Sequence, residues 1–311
     1  MVLLAAKSKL GLDIVKWIGG ESAEARARSC GADGFVAERD GTLYVVLRGT
    51  QLNRFEDLIA DLTAISEKKR GAWRVHAGFT KTFERHEVKD RLEKLLVNRS
   101  GKVVFTGHSL GGAMATLAAA SFGKAGDPLI TFGSPRVGDP VFAADLKRKG
   151  LKIDRYVLCC DIIARLPPKR LPTNHPEDLT TAIYGHNPVT NGIDKLLTKI
   201  ANMLAGGSSY EHVGEIHYID RKGALHQEDW GWERIHDDQE AARARYSKQY
   251  GSKLPLKLGK LKDSNSTLVR LALAKLCDGT LPNRDAADHN LKNYLGPLLN
   301  NASVGPAPKQ P

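Results

Sequence analysis

The chain has 311 residues and a formal net charge of +11 at pH 7, with 41% hydrophobic and 26% charged residues. These proportions are typical of a globular protein and exclude a disordered chain, a collagen and a coiled coil. The length is sufficient for one large α/β domain or for two small ones, each with a hydrophobic core.

The first twenty residues contain apolar stretches, but charged side chains interrupt them at Lys7, Lys9, Asp13 and Lys16. A signal peptide needs an uninterrupted apolar region followed by a small-residue cleavage site, and this segment has neither. The chain also has no run of eighteen apolar residues of the kind that spans a membrane. We therefore expect a protein that stays in the cytoplasm or is exported by a route that uses no signal peptide.

Residues 33–50 form the first predicted element, a β-hairpin. An Asp40-Gly41 pair lies between two apolar runs, and this arrangement favours a tight hairpin turn. Residues 83–98 predict an amphipathic helix, because four apolar residues recur at helical spacing. These four residues are Val88, Leu92, Leu95 and Leu96.

Apolar strands and helices then alternate along the chain. Strands are predicted at 102–106, 129–132 and 155–160, and a helix of small residues is predicted at 113–123. Such alternation predicts an α/β fold with a mainly parallel central sheet and helices on both faces.

The composition changes between residues 221 and 288, where charged residues dominate. One helix is predicted there, from Leu268 to Leu276, with Ser266 or Thr267 as its N-cap. We expect residues 221–287 to form an insertion or cap rather than a cofactor domain, and residues 303–311 to form a frayed tail.

Four cysteines are few for this length, and none of them forms a CxxC pair. A zinc or redox site is therefore not expected, and buried free thiols are the simplest interpretation. The four residues are Cys30, Cys159, Cys160 and Cys277.

A GxSxG sequence, Gly-His-Ser-Leu-Gly at 107–111, lies between a predicted strand and a predicted helix. In this setting the serine occupies a sharp, strained turn, and the flanking glycines let neighbouring backbone approach closely. The serine hydroxyl then lies beside a helix N-terminus, which stabilises negative charge. We predict Ser109 as a nucleophile and the backbone N–H of Leu110 as an oxyanion donor. The alternative is an incidental serine at a glycine-rich helix start.

Six segments follow one another in a recognisable order. They are LRGT at 47–50, DLIADL at 57–62, VHAGF at 75–79, TGHSLGGA at 106–113, GSPRVGD at 133–139 and DIIARLPP at 161–168. The ordered set resembles the class 3 (fungal-type) lipase family of the α/β-hydrolase superfamily. The resemblance extends from about residue 34 to 219 and resumes near 288. It implies an α/β-hydrolase fold, one catalytic domain over residues 1–311, and no cofactor or metal.

The resemblance also implies a triad in the order serine, acid, histidine. Asp161 follows a predicted strand and precedes Leu-Pro-Pro, as the acid of the family does; an aspartate at such a place is also a common loop cap. His289, in an Asp-His segment followed by a tyrosine, resembles the base, and His212 is the second candidate. We expect a structural role for three other histidines, His76, His108 and His217.

Two further features depend on the resemblance. Thr50 corresponds to the second oxyanion donor of the family, through its backbone N–H and its hydroxyl. Residues 51–60 follow it and correspond to the lid, an amphipathic helix that opens at an oil–water interface. An ordinary surface helix is the alternative, since such helices are common. The apolar face of this segment carries Leu52, Phe55, Leu58 and Ile59.

We therefore predict a serine ester hydrolase acting on lipids, with triacylglycerol lipase as the first choice. Phospholipase A1 and short-chain or feruloyl esterase are the alternatives, as is a lipase-like module that only binds a membrane or a partner. Residues 147–170 carry eight basic and two acidic residues, and residues 221–275 carry twelve and seven. If both stretches flank the active site, they would attract anionic lipid. No nucleic-acid-binding module is recognisable, so no nucleic acid is expected as a partner; the sequence predicts no oligomeric state.

Overall fold

The computed structural model describes residues 13–18, 33–49, 67–84, 88–159, 161, 163–167, 210–226 and 289–302, and most of 230–242. Ten strands are present among them: β1 (Asp13–Ile18), β2 (Asp33–Arg39), β3 (Thr42–Arg48), β4 (Glu67–Arg70), β5 (Trp73–His76), β6 (Val103–His108), β7 (Pro128–Phe132), β8 (Lys152–Leu158), β9 (Glu215–Ile219) and β10 (Leu225–His226). The helices are α1 (Ala77–Phe83), α2 (Lys89–Leu96), α3 (Leu110–Phe122), α4 (Pro140–Arg148) and α5 (Leu291–Ala302), and a 3₁₀ turn covers Ile163–Arg165.

Eight strands form one sheet in the order β1-β2-β3-β6-β7-β8-β9-β10. The five strands from β3 to β9 in this order run parallel, whereas the outer pairs at both edges are antiparallel. The predicted α/β class with a mainly parallel sheet is confirmed. The β2–β3 and β9–β10 pairs have short connections, and strands joined by a short turn are antiparallel neighbours.

The β2–β3 hairpin has a two-residue turn, Asp40-Gly41, since Arg39 pairs with Thr42. Both turn residues have positive φ, 50° and 71°, as the turn type that suits twisted hairpins requires. This predicted hairpin is confirmed. It places β3 at the start of the parallel part of the sheet.

The central helix α3 is buried over almost its whole length, from Gly111 to Ala120. It packs on β3, β6 and β7, and α1 and α2 pack against it. The predicted stripe of α2 is also confirmed, because Val88, Leu92 and Leu96 are buried in the same core. Small side chains allow the close approach of α3 to the sheet.

Helix α5 lies on the opposite face of the sheet. Its Tyr294 contacts the rings of His108 and Phe132, which alternate along their strands with the core residues Phe105 and Leu129. Helices therefore cover both faces, as predicted. Of the helices that the structure describes, none is long and apolar enough to cross a membrane.

The beginning of the 221–287 stretch packs against the sheet. Trp230 and Ile235 lie in a small apolar cluster with Val157, Cys159 and Tyr218 of the β8–β9 region. Cys159 is buried and forms no disulfide, as expected. The other three cysteines and the predicted helix 268–276 lie outside the described residues, and the cap and the single-domain arrangement stay predictions.

Candidate active site

Ser109 lies at the turn between β6 and α3. Its backbone has φ 58° and ψ −129°, a conformation that costs a non-glycine residue about 1–3 kcal/mol. Its N–H donates to the carbonyl of Phe132 at 3.0 Å, and its carbonyl accepts from the N–H of Gly112 at 2.9 Å. The predicted strained turn is confirmed, and neighbouring backbone on both sides holds it in place.

The glycines of the turn are required by close backbone contacts. A Cβ on Gly107 would lie 2.2 Å from the carbonyl oxygen of Gly111, and a Cβ on Gly111 would lie 2.2 Å from that of Leu47. Real Cβ atoms do not approach oxygen so closely. The two glycines therefore allow the strand, the turn and β3 to pack together.

The Ser109 hydroxyl is buried and makes no hydrogen bond to any described residue. Leu110 is the first residue of α3, so its N–H belongs to the helix terminus that follows the serine. Its role as an oxyanion donor stays a prediction. Thr50 and the lid residues Leu52, Phe55, Leu58 and Ile59 lie outside the described part of the chain.

Asp161 follows β8 and is fully buried, with hydrogen bonds to both carboxylate oxygens. Oδ2 lies 2.7 Å from Nδ1 of His289 and also accepts a hydrogen bond from the hydroxyl of Tyr294. Oδ1 accepts from the N–H of Ile163 at 2.9 Å. Burial alone would raise the pKa of Asp161, but the charge of His289 and these hydrogen bonds outweigh burial and lower it. The carboxylate is therefore ionised and fixed in orientation.

Tyr294 is a site residue to which the sequence assigned no role. It lies one turn into α5, is fully buried, and its hydroxyl accepts from the N–H of Leu158 at 3.3 Å while donating to Asp161. The only sequence signal for it is the tyrosine that follows the Asp-His pair. Through this residue, α5 is tied to the end of β8.

Gly133 provides the space in which these groups meet. It follows β7 with φ 54°, and a Cβ there would lie 2.5 Å from Asp161 Oδ2, 2.8 Å from the Tyr294 hydroxyl and 3.2 Å from Cε1 of His289. No local sequence pattern predicts the need for a glycine at this place. The end of β7 thus forms the floor beneath the carboxylate.

The segment after Asp161 is held by Arg136. Its side chain donates to the carbonyls of Arg165 and Pro167, the latter at 2.7 Å, and its backbone N–H donates to that of Leu166 at 2.7 Å. A guanidinium is suited to this task because it offers several donors in a fixed plane. Arg136 thereby anchors the loop that carries the buried carboxylate.

His289 lies beside the serine turn as well as beside Asp161. Its ring stacks on that of His108, the residue before Ser109, with centroids 4.5 Å apart. No hydrogen bond between Ser109 and His289 forms in this state. Such bonds are often long or poorly aligned in ligand-free enzymes. Asp161 and His289 thus pair at the carboxyl edge of the sheet, beside the strand end that precedes Ser109, and the complete triad stays a prediction.

The other histidines make separate contacts. Nε2 of His212 lies 2.7 Å from the carbonyl oxygen of Ala164, and Nε2 of His217 lies 2.8 Å from Asp154. His76 is buried and contacts the ring of Phe79. The carboxylate of Asp161 is therefore paired with the first candidate, His289, and not with His212.

The first part of residues 147–170 does not meet the condition that the basic stretches flank the active site. Lys147, Arg148, Lys149 and Lys152 precede or begin β8, whereas Asp161 follows it. Seven residues of extended strand separate the two ends by roughly 20 Å. These four side chains therefore lie at the opposite edge of the sheet from Ser109.

In the described residues, no group of three His, Cys, Asp or Glu side chains could hold a metal ion.

Residues 44–171 match the model of the family described as lipase (class 3). This segment belongs to the class 3 lipase family. It contains Ser109 and Asp161 but not His289. The choice of His289 as the histidine of the site therefore depends on its contact with Asp161 in the structure. The match begins in β3 and ends after the loop that follows β8, and it therefore covers the part of the sheet that carries the serine turn.

Individual relatives agree with this family. A lipase of Rhizopus niveus is 36% identical over 160 residues, which is 46% of this chain and 40% of the relative. A phospholipase A(1) of Arabidopsis thaliana is 33% identical over 151 residues, 40% of this chain and 33% of the relative. The chain therefore spans about two fifths or less of these relatives. Among solved structures, a Rhizomucor miehei triacylglyceride lipase matches with a TM-score of 0.45 and 27% identity, covering 67% of this chain and 66% of that one.

We predict that Gly133→Ala breaks the contact between Asp161 and His289, because the added methyl group would lie only 2.5 Å from the carboxylate oxygen and displace it. We expect the proton that joins the two residues to give a far-downfield signal in proton NMR, because their hydrogen bond is short and charge-assisted. This signal should be lost in Gly133→Ala.

Gly126→Ala is the matched control. Gly126 has φ 83°, and an added methyl group would meet no atom within 4 Å, so this variant carries only the backbone strain of about 1 kcal/mol. The signal should persist there. An unchanged signal in Gly133→Ala would show that Gly133 does not set the position of the carboxylate.

Proposed function

We propose that this chain is a serine carboxylic ester hydrolase that cleaves triacylglycerol through Ser109, Asp161 and His289. The observation that carries the proposal is the pairing of buried Asp161 with His289, 2.7 Å apart, directly beside the strained serine turn. Membership of residues 44–171 in the class 3 lipase family supports the same reaction. The activity of the whole chain is a proposal, since the chain spans 40% and 33% of the length of the two relatives named above.

The first half-reaction forms an acyl-enzyme. A serine hydroxyl is a weak nucleophile, so Ser109 needs a base when it attacks the ester carbonyl. His289 takes that proton at Nε2 because its Nδ1 faces Asp161. The ionised carboxylate fixes the tautomer and stabilises the imidazolium as it forms. The imidazolium then protonates the alcohol that leaves.

The second half-reaction releases the fatty acid. Water attacks the acyl-enzyme, and His289 again accepts a proton and returns it to Ser109 Oγ. In both steps the oxyanion is held by the N–H of Leu110 at the start of α3. Thr50 is the second donor in this proposal, and loss of one such donor typically costs about 3–4 kcal/mol of transition-state stabilisation.

Phospholipase A1 activity is the second candidate. The relative from Arabidopsis thaliana carries that name, and its similarity to this chain is close to that of the Rhizopus lipase. The basic residues at the start of β8 do not favour it, because they lie far from Ser109. A lid over residues 51–60 would be common to both candidates.

We predict that Ser109→Ala lowers the turnover of p-nitrophenyl esters by roughly 10⁴- to 10⁶-fold, because no other group supplies the nucleophile. Ser121→Ala, near the other end of the same helix, should retain full turnover. Equal turnover in Ser109→Ala and the wild type would refute the hydrolase proposal. A wild type without ester turnover would instead favour the binding module.

We also predict a substrate profile. Emulsified long-chain triacylglycerol should be hydrolysed faster than the same ester below its solubility limit, because a lid opens at the interface. Measured under the same conditions, phosphatidylcholine vesicles should release little fatty acid. Faster release from the vesicles would assign phospholipase A1, and a short-chain optimum without interfacial activation would assign an esterase.

A further inference from the structure

His108 is the residue between Gly107 and Ser109, and the sequence predicted only a structural role for it. The structure places its ring against His289, with the centroids 4.5 Å apart and the planes 30° apart. The same ring meets Tyr294 edge-on, at 5.8 Å and 67°. His108 therefore contacts both side chains that donate to Oδ2 of Asp161.

The second contact between the two histidines is polar. The backbone of His289 interacts with the His108 ring and favours its protonated form. Its Nε2 is buried and has no hydrogen-bond partner among the described residues. A second proton on this ring would therefore be a buried donor without an acceptor, which is unfavourable.

His108 is accordingly neutral near pH 7. Burial lowers its pKa to about 4, and the charge of His289 lowers it as well, against the opposite effects of Asp161 and of the His289 backbone. A neutral aromatic ring can stack on His289 while that residue gains positive charge, whereas a lysine or arginine at this place would repel it. The environment thus preserves the form of His108 that suits a cationic neighbour.

The contact with His108 can contribute to the orientation of the His289 ring. Asp161 fixes one edge of the imidazole through Nδ1 but does not prevent the ring from tilting about that hydrogen bond. A ring packed on its face restricts the tilt and keeps Nε2 directed at one place. Since His108 is bonded directly to Ser109, the same strand end fixes both the nucleophile and the face of the base.

We propose that His108 is a positioning residue for His289, holding its ring by packing against it. The proposal rests on the proposed hydrolase function for its kinetic consequence. Its structural consequence, a fixed hydrogen bond between His289 and Asp161, is independent of any activity.

Two variants separate the two contacts. His108→Phe keeps an aromatic ring but cannot hydrogen bond, and His108→Ala loses both contacts. We expect kcat per active serine for p-nitrophenyl butyrate to fall about 10- to 100-fold in His108→Ala, as for other small misplacements of a catalytic group. KM should stay within a factor of about three. His108→Phe should recover part of the loss.

His217 provides matched controls. Its ring stacks on Tyr156 at 4.8 Å and hydrogen bonds to Asp154, away from Asp161. His217→Phe and His217→Ala should lower Tm at most and leave kcat unchanged. The downfield proton NMR signal of the Asp161–His289 pair should weaken in His108→Ala and persist in both His217 variants.

Two results would overturn the proposal. One is a His108→Ala variant with wild-type kcat and an unchanged downfield signal, even if its Tm is lower. The other applies if the wild type hydrolyses no ester, so that kcat cannot be compared. In that case, an equal downfield signal in His108→Ala and the wild type would overturn the proposal. Failure of the hydrolase proposal is recognised separately, by equal turnover in Ser109→Ala and the wild type.

Discussion

Burying a carboxylate is unfavourable unless hydrogen-bond donors surround it, and the site of this protein is organised by that requirement at Asp161. One donor is local, the N–H of Ile163, and two come from a distant part of the chain, the side chains of His289 and Tyr294. Removing any of them would leave a buried charge with fewer partners. The carboxylate therefore fixes the position of α5 relative to the sheet, and with it the position of the histidine.

The same edge of the sheet also carries the strained serine turn and the glycine that leaves room for the carboxylate. Ser109 follows β6 in a strained conformation that its neighbours on β7 and α3 maintain. Gly133 follows β7 and leaves room for the carboxylate, and Asp161 follows β8. Parallel strands present their carboxyl ends side by side, so three consecutive strands bring together residues that are separated by more than fifty positions in the sequence.

Much of this arrangement could be predicted from local sequence. Three features have a signature within a few residues: the Asp40-Gly41 turn, the apolar stripe of α2 and the serine turn. Each depends mainly on the backbone conformation of a short segment, so the residues of that segment are enough to predict it. The meeting of Asp161 with His289 was predicted from resemblance and chain order alone, and their catalytic roles stay predictions. Gly133 and Tyr294 were missed because their importance arises from packing between distant segments. The position of the basic residues near 150 was left open for the same reason: sequence distance from Asp161 does not tell at which end of β8 a residue lies.

The central claim is that Ser109 is a nucleophile activated by His289 and Asp161. Labelling with a fluorophosphonate ester tests it most directly, because such reagents phosphonylate an activated serine and the modified residue can be identified by tandem mass spectrometry. We expect one adduct, on Ser109, and labelling that is at least about a hundredfold slower in Asp161→Asn, where the histidine is no longer held in the required tautomer. An unlabelled protein, an adduct on another serine, or equal labelling of Asp161→Asn would contradict the claim.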